Sequence, residues 1–312
     1  MIFLSTLIAL GLLLGWKVGK TLQRDTWFFT WLTRLHEWGL VTKEPVVALF
    51  FAVGVPGVLL TLVICFISYY FSGFWLILLY VPVLIYSLGR GNLTDDVNHY
   101  LAVSARGDTV AAARWVDELQ GAIGTEAVDA EVDDWQKLHA QALEIISYRN
   151  FERVFGVLFW FFVLGAVGAL IYRLSVLYAE HLSEENPNHC VARRWLWILE
   201  WPGVRVLGLS WALVGNFDSC YGVWRRDLTN RALASKGFLS RSLRGALGMT
   251  PVTDTTAPIA TTEPTTETLT APVINGITTE LDNFGLINAS LPLFSRALLL
   301  WLSVLAIVSL TI

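Results

Sequence analysis

Between Glu44 and Arg90 the chain runs for 45 consecutive residues without one Asp, Glu, Lys or Arg. A helix rising about 1.5 Å per residue needs roughly half that length to cross a hydrocarbon core of about 30 Å. The segment must therefore turn and come back. Ser72 and Gly73 supply turn residues, and Tyr69, Tyr70, Phe71, Phe74 and Trp75 surround them with the aromatic belt of a headgroup boundary. Two membrane-spanning helices are predicted, over 46–69 and 74–88. Composition agrees, with 54% hydrophobic and 15% charged residues, where a soluble domain carries about 25% charged.

Other stretches are also apolar enough for lipid. Residues 154–172 are 19 uncharged residues centred on "VLFWFFVLGAVGAL", just long enough to cross. The last 16 residues, from Ala297, make another span, extended backward past Arg296, whose long stem can snorkel to the interface. Residues 1–15 have no basic residue in front and several behind, so a retained helix with a periplasmic N-terminus is expected instead of a cleaved signal.

Residues 195–217, "WLWILEWPGVRVLGLSWALVGNF", hold Glu200 and Arg205 with Pro202 between them. A charge at membrane depth costs about 2.5–3.5 kcal/mol on insertion scales, so such groups pair or face a polar cavity. The segment reads either as an interfacial helix or as a span with a polar face. Basic residues number five in 16–44, six in 89–153, six in 217–250 and three in 173–194. Keeping the three richer loops in the cytoplasm requires either that 195–217 cross or that 154–172 re-enter. Crossing is the simpler expectation.

The same rule explains "GWKVGKT" at 15–21. A phosphate loop, G-x-x-x-x-G-K-[ST], would need glycine where Leu14 stands. Lys17, Lys20 and Arg24 are instead the cytoplasmic flank of the first helix.

Outside the membrane, residues 89–153 carry twelve acidic and six basic residues, which excludes a nucleic-acid surface because the net charge repels phosphates. Thr109 is a candidate cap for a helix through "VAAARWVDELQGAIG", ended by Gly121 and Gly124. A second helix from about 126 carries Val128, Val132, Trp135, Leu138, Ala142 and Ile145 in one stripe. Residues 218–249 read as a basic amphipathic helix, on the inner leaflet or packed in the cytoplasm. Residues 250–283 are Thr/Pro-rich, with twelve threonines between 250 and 279, and are expected to be a disordered linker. Cys65, Cys190 and Cys220 form no C-x-x-C pair, and His181, His189 and Cys190 match no metal spacing, so no disulfide, metal or cofactor is expected.

The fold expected is thus all-α: a polytopic integral membrane protein with four to six transmembrane helices and a small helical cytoplasmic region. Residues 1–88 hold the first three helices (1–15, 46–69, 74–88), 89–153 the cytoplasmic part, 154–217 membrane segments with polar interior residues, and 284–312 the last span.

"YLAVSARGDTVAAARW" (100–115), "LEIISYRNFERVFGVLFWFFVLGAVGALIYRL" (143–174) and "LEWPGVRVLGLSWALVG" (199–215) together resemble the AmpE family, inner-membrane proteins linked to β-lactamase induction. The residues carrying the likeness are Gly107, Asp108 and Arg114, Phe159 and Trp160, Tyr172 and Arg173, and Pro202 and Arg205. That family is in turn similar to the CobD/CbiB synthases of cobalamin assembly. Those enzymes carry E-S-x-x-E-N-x-x-D before the F-W helix and N-T-x-D-S-M after it, groups suited to a phosphorylated amino alcohol and magnesium. Here Glu144 and Glu152 hold the outer acidic places, Tyr148 and Arg149 replace E-N, and "LSVLYAEH" follows Tyr172-Arg173.

The resemblance implies a scaffold without the synthase's ligands, hence no catalytic residue and a regulatory or sensor protein of the bacterial inner membrane. A membrane enzyme using Glu144 and Glu152, and a transporter, are the alternatives. The candidate polar cluster is Glu144, Arg149, Glu152, Arg153 and Arg173 with Glu200 and Arg205. It would either bind a small cell-wall-derived or phosphorylated ligand or hold helices in register by ion pairs. The lipid bilayer is the partner that composition itself requires.

Overall fold

The computed structural model describes residues 2–16, 25–39, 44–70, 74–88, 93–120, 135–183, 185–230, 233–249 and 278–311. Among them every regular element is helical, and the chain is an all-α membrane protein. The P-loop-like stretch from Lys17, the flank at Lys20 and Arg24, the turn at Ser72 and Gly73, and the Thr-rich segment 250–277 lie outside the described residues.

Three helical runs are long and apolar enough to cross a membrane: Pro45–Tyr70, Trp135–His181 and Phe284–Ser309. The first, α3, follows α1 (Ile2–Trp16) and α2 (Thr26–Glu37), and precedes the shorter apolar α4 (Trp75–Ser87). Val58, Leu59, Leu62 and Phe66 of α3 are exposed. One apolar face on a helix with no charges is solvated by lipid, not water.

A π-helical turn at Phe50–Gly54 interrupts α3, and the Val55 N–H reaches back to the Phe50 carbonyl. The next donor in that register would be Pro56, which has none. The Phe51 carbonyl left over accepts from the indole Nε1 of Trp31 at 3.3 Å, which fastens α2 to the span.

Two helices, α5 (Leu93–Ser104) and α6 (Thr109–Gln120), precede α7 (Trp135–Asn150). α6 begins where the sequence places it, but the capping oxygen belongs to Asp108, whose Oδ1 accepts from the Ala111 N–H at 2.9 Å. Asp is the better cap because its carboxylate also faces the positive helix end. The expected end at Gly121 and Gly124, and the second helix before Trp135, fall outside the described residues.

After a π-helical turn at Phe151–Phe155, α8 (Gly156–His181) does not continue straight. Gly165 has φ 66° and ψ −152°, a conformation open essentially to glycine alone. Arg149 and Glu180 bond at 2.9 Å, although 31 residues of straight helix would separate them by about 46 Å. The rings of Phe151 and Tyr172 lie 6.4 Å apart. The chain therefore folds back at Gly165 into a hairpin. Its tip stands about 12–18 Å of helix rise beyond Arg173 and Arg153.

Residues 154–172, expected to cross as one straight span, fold back on themselves as a hairpin. With both ends on one side, 195–217 no longer has to cross. It lies within α9 (His189–Val214), which packs against α8 and the helices that follow. The stretch read as one amphipathic helix over 218–249 is two, α10 (Phe217–Asp227) and α11 (Ser235–Ala246). Phe238, Leu239 and Leu243 of α11 are fully buried, so α11 is a packed bundle helix. The last helix, α12 (Thr278–Thr311), docks through Trp301, whose Nε1 donates to Ser210 Oγ at 2.8 Å and whose ring meets Phe155.

Candidate functional site: the buried charges at the hairpin mouth

The sequence "YRNFE" places Tyr148 and Arg149 side by side and Glu152 one turn further on, where α7 enters the hairpin. Arg149 is 8% exposed and donates four hydrogen bonds. Its Nε reaches the Leu119 carbonyl and its Nη2 the Gln120 carbonyl, both at 2.7 Å. Its Nη1 reaches Glu152 at 2.5 Å and Glu180 at 2.9 Å. The last carbonyls of α6 have no partner within their helix, and a guanidinium satisfies both their lone pairs and the negative helix end.

Arg173, on the returning arm, lies 3.6 Å from Asp25 at the start of α2 and 4.0 Å from Glu152. Two arginines thus tie together α2, α6, α7 and both arms of the hairpin. A branch of the network runs through Tyr148, whose hydroxyl donates to Glu200 Oε1 of α9 at 2.6 Å.

The other predicted members lie apart. Arg153 points to Asp96 in the first turn of α5, at 2.9 Å, and both are partly exposed. Glu144 is half-buried and faces Lys236 and Arg244 of α11. Burial pushes the Lys236 ammonium below the usual lysine range, with Glu144 pulling the other way. Arg205 is not the partner of Glu200. Its guanidinium lies between the rings of Trp201 and Phe238, 4.7 Å from each centroid, with the Trp201 and Asn230 carbonyls at 3.5 Å. Cation–π contacts of this kind are worth about 2 kcal/mol when desolvated.

Asp25, Glu180 and the donor role of Tyr148 were missed by sequence reasoning. Glu180 had a signal, since it follows Arg173 by seven residues and so shares its helix face. Asp25 had none, because its approach depends on how α2 returns to the bundle.

Among the described residues no group of three His, Cys, Asp or Glu is placed to hold a metal. Glu144 and Glu152 lie about 12 Å apart in helix rise and meet different partners, Glu144 facing Lys236 and Arg244 and Glu152 bonding Arg149. Among the described residues, cavities open elsewhere: one of about 270 Å³ beside His99, Asp108 and Arg114, and one of about 430 Å³ between α2 and α3.

A protein-family model described as "Regulatory signalling modulator protein AmpE" matches residues 1–258. The chain belongs to the AmpE family. Among curated proteins it is similar to the cobalamin biosynthesis protein CobD of Chromobacterium violaceum, 28% identical over 111 residues, 34% of this chain and 36% of that protein. It is also similar to CobD of Stutzerimonas stutzeri, 28% identical over 177 residues, 52% of this chain and 57% of that protein. The chain thus spans between about a third and somewhat over half of these relatives' length. No solved structure matches. The family assignment makes the chain a bacterial membrane protein of regulatory type.

In this AmpE-family chain Tyr148 carries a test of how tightly the network is satisfied. Tyr148→Phe removes the hydroxyl that donates to the buried Glu200, and unfolding in detergent should become easier by about 1–3 kcal/mol. The double variant Tyr148→Phe/Glu200→Leu should be closer to wild type than the single one, because it removes both polar groups. Equal melting temperatures for Tyr148→Phe and wild type would show that the hydrogen bond contributes nothing.

Proposed function

We propose that this AmpE-family protein sits in the bacterial inner membrane, its N-terminus periplasmic, and couples a small cell-wall-derived or phosphorylated signal to β-lactamase induction. The observation that carries this reading is the double allegiance of Arg149. The same guanidinium holds the end of α6 and the carboxylates of both hairpin arms. A regulator needs a joint at which an event at the membrane alters a cytoplasmic surface. An anion that competes for Arg149 or Arg173 would loosen α6 and the helices around it. The cluster of Arg149, Glu152, Arg173 and Glu200 is the proposed signal-binding site, with Glu144, Arg153 and Arg205 holding the surrounding helices.

A host with inducible β-lactamase and this gene deleted provides the test. Reintroducing the wild-type gene should restore the normal induction ratio after β-lactam challenge, and an Arg149→Gln gene expressed to the same membrane level should not. Induction that is identical with and without the gene overturns the reading.

A further inference from the structure

The cleft between α2 and α3 is built differently from the ion-paired mouth. On α2, Phe28, Leu32 and Leu35 are buried, while Trp27 and, just past its end, Trp38 remain 45% and 63% exposed. Exposed indoles on an amphipathic helix belong at a membrane–water boundary. The depth of the cleft follows from two contacts. Gly57 of α3 lies so close to Ile171 that an added Cβ would stand 3.0 Å from its Cγ1, and Ile171 is two residues from Arg173, which faces Asp25. Farther out, Trp31 bonds the Phe51 carbonyl. From Asp25 to Trp31, α2 therefore runs outward alongside α3, and Arg34 continues toward the water side.

The cleft measures about 430 Å³ and is lined by Trp27, Thr30, Trp31, Arg34, Pro56 and Leu59 among others. Ligand sites occupy about 300–1,000 Å³. Its inner end is apolar, with Pro56 and the exposed Leu59. Its outer end holds Arg34, an exposed arginine that makes no ion pair among the described residues. One cation above an apolar slot at headgroup depth matches a phosphate joined to hydrocarbon. We propose that this cleft binds one anionic membrane phospholipid, its phosphate on Arg34 and its first acyl methylenes on Pro56 and Leu59. The apolar floor favours the lipid over free phosphate, and the single arginine favours an anionic headgroup over a zwitterionic one.

Native mass spectrometry of the full-length protein in detergent, titrated separately with phosphatidylglycerol, phosphatidylcholine and inorganic phosphate, tests this. One phosphatidylglycerol should bind in preference to phosphatidylcholine. Arg34→Gln should weaken the anionic lipid about five-fold, the effect of one basic residue near an anionic surface, and leave phosphatidylcholine unchanged. Arg34→Lys should keep the preference, and Leu59→Trp, which fills the slot, should weaken both lipids. Both positions are exposed, and circular dichroism checks that helix content is retained. Equal binding of the two lipids, an unchanged phosphatidylglycerol affinity in Arg34→Gln, or displacement of the lipid by inorganic phosphate would overturn the proposal.

Discussion

Arg149→Met is expected to destabilise the protein by about 3–5 kcal/mol, the range found when one member of a buried charge pair is removed. The size follows from what the substitution leaves behind. Glu152, 3% exposed, would keep only Arg173 at 4.0 Å, and Glu180 and the last two carbonyls of α6 would lose their donor. Thermal unfolding in detergent measures the loss. Hydrogen exchange locates it, since amides in Thr109–Gln120 should exchange faster as α6 comes away from the hairpin mouth.

Two comparisons make this result specific. Arg153→Met breaks a partly exposed pair with Asp96, for which about 0–1 kcal/mol is expected. The triple variant Arg149→Met/Glu152→Gln/Glu180→Gln should recover part of the loss, because the penalty lies in the stranded carboxylates more than in the missing attraction. A melting temperature for Arg149→Met equal to wild type would mean that the network holds nothing.

Apolar helices were legible wherever the chain offers an uninterrupted apolar run. The absence of charge from Pro45 to Gly89 predicts the long α3 and the shorter α4, and the run from Ala297 predicts the end of α12. α6 was legible from its start signal; its buried face is Ala112, Ala113, Val116 and Leu119, while Val110 is 44% exposed. The neighbourhood of Arg149 and Glu152 was legible because charges beside an uncharged run need partners. Which charge meets which was not. Glu200 and Arg205 look paired at five residues apart, yet a helix turns them to different faces, one toward Tyr148 and the other toward Phe238. The hairpin was least legible of all. Counting 19 uncharged residues measures length and says nothing about direction, and Gly165 looks in sequence like any other glycine of an apolar helix.

That blind spot gives the second large prediction. Gly165 turns the chain with a φ of 66°, so a side chain there costs about 1–3 kcal/mol in backbone strain. Gly168 lets the arms approach, for a Cβ added to it would collide with the Trp160 carbonyl oxygen of the opposite arm, and overpacking of this kind costs about 1–3 kcal/mol more. Gly165→Val/Gly168→Val should therefore lose about 3 kcal/mol or more, seen as a collapse in the amount of folded protein recovered from membranes. The hairpin itself is tested without destabilising it, in a chain whose three native cysteines are replaced by alanine. Cysteine placed at the exposed Ala105, before the hairpin, and cysteine placed at the exposed Ser183, after it, should react with an impermeant thiol reagent from the same face of sealed vesicles. Labelling from opposite faces would mean that the apolar stretch crosses as its length suggests. In that case Glu180 and Arg149 could not meet, and the joint built on them would not exist.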